Sequence, residues 1–291
     1  MSATVPEISP QRLAEALRDA DLDWQIVARI DSTNAELARR ARAGVPRRTS
    51  LLVAEEQTAG RGRLGRTWQA TPGQSLLFSL ALPWPLAPQD SSAVTLACAA
   101  ALARCLDTQG VPVQVKWPND LLLHGRKLAG ILTELVDDGT ARTLVIGVGL
   151  NLHLDAARRA AIDQPAAALD EAAGAAGTAP EAWLGRLATA LCAAAQSYAR
   201  HGFGAVRDEF NAYCAFLGQA VTLRGGAPAS AEGATALPSA APAAAWQGIL
   251  RGVDTAGCLL LESDGRLLAM MSGNLSLRPG EPRQPLLGES P

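Results

Sequence analysis

The sequence predicts an α+β fold, with a mixed β-sheet and helices in a large first domain and a small C-terminal β-barrel or sandwich. First, strand-like and helix-like segments are interspersed over residues 1–214. Second, a hydrophobic content of 48% in 291 residues can form a substantial core. Third, the composition changes at about residue 215 to short strand-like segments separated by glycine turns. We therefore predict two domains, residues 1–214 and 215–291.

The N-terminal segments predict a helix, a strand, a second helix and a second strand. Ser9 and Pro10 are typical of the N-cap and first position of a short helix, and WQIVARI follows as a strand. Ser32 or Thr33 is expected to cap the helix in DSTNAELARRARAG, which Gly44 terminates. SLLVAEEQ then predicts the next strand.

The rest of the large domain predicts further strands and two helical regions. After a TPGQ turn, the strand segments are SLLFSLAL, VPVQVKW, RKLAGILTELV and TLVIGVGLNL. Residues 91–109 and 180–213 have the pattern of helices. In the small domain, the strand segments are GQAVTLRG, WQGILRGVD, GCLLLES and GRLLAMM. A tract rich in Ala, Pro and Gly at 225–245 predicts a long loop between two of these strands, and its role is not evident from the sequence.

Composition excludes several classes of function. The net charge of −2 gives no global attraction to nucleic acid or to anionic membranes. The five cysteines form no C-x-x-C pair, which favours reduced, buried thiols over a zinc site or disulfides. His124, His153 and His201 belong to no motif and are expected at the surface. Because no segment resembles a signal peptide or a membrane span, we expect a soluble, cytoplasmic protein without a membrane partner.

A glycine loop at residues 60–67, within GRGRLGRTWQA, partly satisfies two phosphate-binding patterns. Gly60, Gly62 and Gly65 match G-x-G-x-x-G, and Arg66 stands where a P-loop would have lysine. Both patterns require a helix to begin inside or directly after the loop, whereas here a turn and a strand follow. The loop therefore favours neither a dinucleotide fold nor a P-loop. A surface hairpin with solvated arginines is the alternative to a ligand-binding loop.

A second polar cluster lies in KWPNDLLLHGRKLAGIL. It places Lys116, Trp117, Asn119, Asp120 and Lys127 within twelve positions, on a strand end, a turn and the next strand. Core packing does not explain both lysines, since charged side chains are rarely fully buried. This cluster therefore favours a ligand-binding glycine loop over the solvated hairpin.

Together these segments resemble the biotin protein ligases. The resemblance extends from about Asp31 to Arg278, and the motifs occur in the order typical of that family. They are DSTN (31–34), EEQTAGRGRLGRTW (55–68), KWPNDL (116–121), RKLAGIL (126–132), GVGLN (147–151) and a C-terminal GILRGVD, GCLLLESDG and SLR. Two departures concern the small domain: the 225–245 tract resembles an insertion, and MMSGNLSLR lacks one expected glycine.

The resemblance implies a catalytic domain like those of class II synthetases and an SH3-like C-terminal barrel. It implies that ATP and biotin, with Mg²⁺, form biotinyl-5′-AMP, and that biotin then passes to a lysine of a biotin carboxyl carrier protein of a carboxylase. Some relatives carry a DNA-binding domain before the ligase. Since only 30 residues precede DSTN, we expect a monofunctional enzyme without specific DNA binding. The oligomeric state, including a possible homodimer, and the identity of the carrier stay open.

The resemblance also implies site residues. Lys127, Arg61 and Asp120 are the predicted catalytic residues. The predicted biotin contacts are Ser32, Thr33, Asn34, Gln57, Arg61, Gly62, Arg63, Lys127 and Gly130. The predicted ATP contacts are Arg63, Arg66, Trp68, Lys116, Asn119, Asp120, Asn151 and Arg278. The metal ligands stay unknown at this point.

Several of these residues have a second interpretation. Ser32 and Thr33 could serve only as helix caps. Trp68 could be a core residue beside a strand, and Asn151 could be purely structural. Asn119 and Asp120 could bind metal or ribose rather than act in proton transfer. At the level of the whole protein, a lipoate or octanoate ligase shares the implied fold, although KWPND and the paired arginines of the glycine loop are typical of the biotin enzymes.

Overall fold

We analysed a computed structural model of the chain, which describes residues 8–44, 48–162, 164–224 and 245–271, and the backbone of 276–279. The chain divides into two compact units, residues 1–215 and 216–291, and each is described by itself. Within these ranges, none of the helices combines the length and apolar character that crossing a bilayer requires.

The first unit contains seven strands and six α-helices among its described residues. The strands are β1 (Asp23–Ile30), β2 (Ser50–Gln57), β3 (Ser75–Trp84), β4 (Val113–Lys116), β5 (Asp120–Leu123), β6 (Arg126–Asp137) and β7 (Arg142–Asn151). The α-helices are α1 (Pro10–Ala16), α2 (Thr33–Arg42), α3 (Val94–Asp107), α4 (Ala156–Ala161), α5 (Pro180–His201) and α6 (Arg207–Tyr213).

The seven strands form one mixed sheet in the order β1-β2-β3-β7-β6-β5-β4. Only β1 and β2 are parallel among these neighbours, and α2 connects them, since a parallel pair requires a crossover. The remaining neighbours are antiparallel. Helix α2 packs on β2, β3, β6 and β7, whereas α3 packs on β4, β5 and β6. The mixed α+β architecture predicted from the sequence is confirmed.

The structure differs from the sequence prediction in three local details. Residues 120–123, expected as part of a turn, form the short strand β5 between β4 and β6. The helical region at 180–213 is two helices, because Gly202 adopts a φ of 69° and ends α5. Helix α4 was not predicted, and Asp155 caps it by accepting a hydrogen bond from the Arg158 amide.

Helix α2 is held close to the sheet by an apolar stripe and a glycine. Leu37, Ala38 and Ala41 pack with Ala81 of β3 and Val145 of β7 in one buried cluster. A Cβ atom at Gly147 of β7 would lie 2.4 Å from Oδ1 of Asn34, in the first turn of α2. The small side chains therefore allow the helix to approach the strand backbones closely.

The second unit is a five-stranded antiparallel sheet. Its strands are β8 (Ala220–Arg224), β9 (Ala245–Val253), β10 (Leu259–Ser263), β11 (Arg266–Met270) and β12 (Ser276–Pro279), in the order β11-β10-β9-β8-β12. Leu223, Leu250, Leu259, Leu261 and Met270 form its buried face. Within the described strands, β11 and β12 are the two edges and do not pair, so the predicted SH3-like barrel is not confirmed. Residues 225–244 of the Ala/Pro/Gly tract lie outside the described residues.

We predict that Gly147→Ala destabilises the protein by about 1 to 3 kcal/mol, because the new methyl group overpacks the α2 contact at Asn34. Urea denaturation measures the change in the free energy of unfolding. The control is Gly204→Ala, where an added Cβ would meet nothing within 4 Å. Equal unfolding midpoints for the two variants would contradict the close approach of α2.

Candidate functional site

The site begins at the N-terminus of α2, where Asp31 and Ser32 shape the chain. Ser32 is the N-cap, and its hydroxyl accepts a hydrogen bond from the Ala35 amide. Asp31 accepts from the Ser32 amide at 2.7 Å and pairs with Arg39 at 2.8 Å. The hydrogen bonds from Arg39 are the main reason that the pKa of Asp31 falls to about 2. Asp31 is therefore a charged anchor that fixes the start of α2.

Thr33 joins three segments in a buried polar network. Its amide and its hydroxyl both donate to Oε1 of Gln57, at 2.7 and 3.1 Å. The same hydroxyl lies 2.7 Å from the hydroxyl of Ser79, which is fully buried in β3. Because Oε1 of Gln57 accepts from Thr33, the amide group of Gln57 is held in one orientation and its Nε2 donor points away from Thr33.

The glycine loop is a short β-hairpin. Its strands meet in a bridge between Arg61 and Thr67, and the Gly62 amide donates to the Arg66 carbonyl at 2.7 Å. At the tip, Leu64 (φ 59°, ψ 36°) and Gly65 (φ 72°) both have positive φ, and the Arg66 amide donates to the Arg63 carbonyl. This geometry is that of a type I′ turn. The hairpin alternative is thus correct for the backbone, and the turn leaves the Leu64 side chain 56% exposed.

Trp68, directly after the loop, lies on a glycine floor, which we define as Gly130 of β6 and Gly149 of β7. These two glycines are cross-strand partners, so they belong to the same face of the sheet. A Cβ at Gly149 would lie 2.3 Å from Cε2 of Trp68, and one at Gly130 would lie 3.1 Å from Cζ3. The indole thus rests on bare backbone. Its Nε1 is buried and has no hydrogen-bond partner among the residues that the structure describes.

Lys127, Asp120 and Arg63 form a charged cluster beside this indole. The Lys127 ammonium is 2.8 Å from Oδ1 of Asp120 and 5.4 Å from the centre of the Trp68 ring. Both side chains of the pair are less than one-fifth exposed, at 18% and 16%. Burial lowers the pKa of the Arg63 guanidinium, an effect that the Asp120 carboxylate opposes. Asp120 therefore interacts with two cations, one from β6 and one from the glycine loop.

The two predicted asparagines use their amide groups to bind the main chain. The Asn119 Nδ2 donates to the Ile131 carbonyl at 2.9 Å, and the Ile131 amide donates to the Asn119 carbonyl. The buried Asn151 Nδ2 donates to the carbonyl of Ala167 at 3.0 Å. These bonds support the structural interpretation of Asn151 and show that Asn119 holds the start of β5 against β6.

The remaining predicted residues differ in their relation to the cluster. Lys116 of β4 is the cross-strand partner of Asp120, so it lies at the same end of the sheet. Arg66 is exposed in the glycine loop. Arg278 belongs to β12 of the second unit, and its side chain lies outside the described residues. The three histidines are exposed, as predicted.

Sequence reasoning missed two residues that hold the site together. Ser79 binds Thr33, and Glu134 of β6 binds both Asn34 and Arg61. The Nδ2 of Asn34 donates to Oε2 of Glu134 at 2.6 Å, while Oδ1 of Asn34 is buried and has no partner within the described part of the chain. The sequence did carry a signal for Glu134, because it is the one charged residue of the largely apolar strand segment GILTELV. A charged residue that is partly buried usually has a specific partner.

The arrangement combines two chemical environments. The α2 start and Gln57 provide neutral donors and acceptors, which suit an uncharged polar group. The Lys127, Arg63 and Asp120 cluster provides two cations around one carboxylate, which suits the joining of two anionic groups and the transfer of a proton. Trp68 and the glycine floor lie next to the cationic cluster and offer an aromatic surface.

Comparison with known proteins first defines the class of protein to which the chain is similar. Residues 26–151 match the Biotin/lipoate A/B protein ligase family. The solved biotin protein ligase from Aquifex aeolicus in complex with biotin and ATP superimposes with a TM-score of 0.70 at 22% identity. The match covers 89% of this chain and 99% of that one. The two proteins therefore share a fold.

Relatives with similar sequences narrow this class of protein to one family. The chain is 35% identical to the bifunctional ligase/repressor BirA of Salmonella typhimurium over 255 residues, which are 87% of this chain and 73% of that protein. It is 33% identical to the biotin--[acetyl-CoA-carboxylase] ligase of Paracoccus denitrificans over 247 residues, which are 81% of this chain and 92% of that protein. The chain belongs to the biotin protein ligase family.

We predict that Gly149→Ala displaces Trp68 and loosens the glycine loop, because the added methyl group would overlap the indole. Trypsin cleavage after Arg63 and Arg66 should become several-fold faster in the folded protein. Gly204→Ala is again the control, and mass spectrometry identifies the cleavage positions. Unchanged cleavage would show that the glycine floor does not hold the loop.

Proposed function

We propose that the protein is an ATP-dependent biotin protein ligase that forms biotinyl-5′-AMP and transfers biotin to a lysine of a biotin carboxyl carrier protein. The observation that carries the proposal is the Lys127–Asp120 pair at 2.8 Å, whose carboxylate also interacts with Arg63. The neutral polar group of Thr33 and Gln57 at the start of α2 adds to it. Membership of the biotin protein ligase family and the names of the relatives support it.

In the first half-reaction, a carboxylate oxygen of biotin attacks the α-phosphorus of ATP. A P–O bond to the β-phosphate breaks, and pyrophosphate leaves with the electron pair. Both reactants are anionic, so nearby cations lower the barrier most when they follow the charge into the transition state. Lys127 and Arg63 have this role, and Asp120 holds the ammonium of Lys127 in position.

The neutral end of biotin, its ureido ring, binds at the start of α2. Gln57 is oriented by its two hydrogen bonds from Thr33, so its Nε2 can donate to the ureido oxygen. Ser32 and Asn34 belong to the same turn, and both are buried. Trp68 provides an aromatic face for the biotin ring or the adenine.

In the second half-reaction, the lysine amine of the carrier attacks the acyl carbon of the adenylate. The bond between that carbon and the AMP oxygen breaks, AMP leaves, and the amine loses a proton. Asp120 is the carboxylate of the site that can take the proton or orient the amine. Its Oδ1 lies 2.8 Å from the Lys127 ammonium, which holds the carboxylate in place.

Mg²⁺ enters this proposal together with the nucleotide. Among the residues that the structure describes, no group of three or more His, Cys, Asp or Glu could hold a metal ion. A protein cage is not needed, because Mg²⁺ commonly binds through substrate phosphates with only one or two carboxylates. Asp120 is the candidate carboxylate of the site, and the ion would neutralise phosphate charge. Monofunctional action without specific DNA binding stays a prediction, and the oligomeric state stays open.

The test of the function is pyrophosphate exchange into ATP that depends on added biotin. Because the matching family also contains lipoate ligases, lipoate and octanoate should be supplied in parallel. Exchange that depends on biotin, and not on lipoate or octanoate, supports the proposal. Exchange that depends on lipoate or octanoate and not on biotin would refute it.

For Lys127→Gln, we expect adenylate formation to fall by about two to three decades, since a charge-assisted transition-state contact contributes roughly 3 to 4 kcal/mol. Transfer from supplied biotinyl-adenylate should be affected less, because the carboxylate is then an uncharged anhydride. Pyrophosphate exchange and single-turnover transfer measure the two steps.

The matched control for Lys127→Gln is Arg104→Gln, which removes a surface cation paired with Glu209 on another helix. This control should exchange at the wild-type rate. If Lys127→Gln retains exchange within a factor of about three of the wild type, Lys127 is structural and the electrostatic role falls to other cations.

For Arg63→Ala, we expect the adenylate to form but to escape, because a partly buried cation of the glycine loop is removed from beside the anionic intermediate. Labelling of bystander proteins by released biotinyl-adenylate should rise relative to carrier labelling. Blotting with streptavidin measures both products. A loss of carrier labelling with no rise in bystander labelling would contradict a role of Arg63 in retention.

A further inference from the structure

Glu134 is a junction between two separate parts of the candidate site. Its Oε1 is 3.0 Å from Nη2 of Arg61, and its Oε2 lies 3.3 Å from Nη1 of the same residue. Its Oε2 also accepts the hydrogen bond from Asn34 at 2.6 Å. Arg61 and Asn34 are 73 and 100 positions away in sequence, on the glycine loop and on α2. One side chain of β6 thus binds both.

The location of Glu134 follows from the register of the sheet. Glu134 pairs with Val145 across β6 and β7, whereas Gly130 pairs with Gly149. Residues 130 and 134 are four apart on one strand, so their side chains lie on the same face. Glu134 therefore belongs to the face that carries the glycine floor, Trp68 and α2. Its side chain is only 24% exposed there.

The ion pair changes what Arg61 can do. Both nitrogens of the guanidinium fork bind the carboxylate, so the positive charge of Arg61 is already compensated. A ligand would have to break two guanidinium contacts before it could take this cation from Glu134. Arg61 is, however, well placed to hold the backbone, because residue 61 begins the bridge that closes the hairpin.

We propose that Glu134 is a positioning residue that fastens the glycine loop to the sheet through Arg61, and that Arg61 acts as the loop anchor rather than as a catalytic cation. Through Asn34, the same carboxylate sets the distance between the loop and the start of α2. A carboxylate only accepts hydrogen bonds, so it also fixes the Asn34 amide with Nδ2 towards Glu134. The loop then opens only when this pair separates.

The first test is limited proteolysis, which does not depend on any substrate. Trypsin cleavage after Arg63 and Arg66 is compared in the wild type, Arg61→Gln, Glu134→Gln and the double variant. Glu134→Gln keeps a side-chain oxygen that can still accept from Asn34, so it isolates the pair with Arg61. We expect faster cleavage in both single variants and no further increase in the double variant, since all three lack the same ion pair.

The second test is kinetic and rests on the proposed function. In biotin-dependent pyrophosphate exchange, each variant should raise the KM for biotin about tenfold, as expected for loss of a charge-assisted bidentate contact. The kcat at saturating biotin should stay within about threefold, because the chemical cations are intact. The control is Glu209→Gln, which removes the partner of Arg104 elsewhere on the surface and should change neither parameter.

The outcomes separate the two proposals. The anchor role of Arg61 is refuted if the increases in cleavage rate of the two single variants multiply in the double variant. Unchanged cleavage in all three variants would also refute it. A fall in kcat without a change in KM would also overturn it, since Arg61 would then act in the chemical step. If Glu134→Gln fails to fold, the test rests on Arg61→Gln, whose side chain is half-exposed. Faster cleavage after Arg63 in that variant supports the anchor role, and unchanged cleavage refutes it. The protein could also show faster cleavage in the single variants, with no further increase in the double variant, and yet lack biotin-dependent exchange. That result would support the anchor role and refute the proposed function.

Discussion

The site depends on three glycines that share one face of β6 and β7. Gly130, Gly147 and Gly149 leave the backbone bare, and the space is taken by Trp68 and by Asn34. Gly130 and Gly149 are cross-strand partners, and Gly147 is two residues from Gly149 on β7, so all three glycines lie on the same face. The glycine loop and α2 can therefore approach the same strip of sheet. The polar groups that the reaction requires come from these two segments.

Charge compensation is the second feature of the site. Asp120 is paired with Lys127, Glu134 with Arg61, and Asp31 with Arg39. The first pair is the more enclosed, and the others are partly exposed and therefore more screened by water and salt. An anionic ligand that enters near Lys127 competes with Asp120 for the ammonium. The pairs at Arg61 and Arg39 have no such competitor in the proposed mechanism, and they serve to hold the loop and the helix.

A β-bulge places Lys127 on the face of the sheet that carries Gly130 and Gly149. The register of β5 and β6 shifts between Leu121 and Leu122, so that Leu121 pairs with Ala129 and Leu122 with Lys127. Lys127 and Gly130 are three positions apart, and in a regular strand they would point to opposite faces. The extra residue, Leu128, is buried, and a Cβ at Gly130 would lie 3.5 Å from the Lys127 Nζ. The bulge thus turns the ammonium towards Asp120 and Trp68.

The sequence by itself determined the mixed α+β class, most strands, the capped start of α2, and the set of motifs that identify the family. These features depend on local propensity, apolar periodicity and residue type, all of which can be read within a short window. Only the tertiary structure decided β5, the open second sheet, the bulge at Leu128, and the roles of Glu134 and Ser79. Each of these depends on register or on contacts between distant segments. A shift of one residue in a strand would move each side chain to the other face, and the partner strand against which the register is set lies outside a short window of sequence.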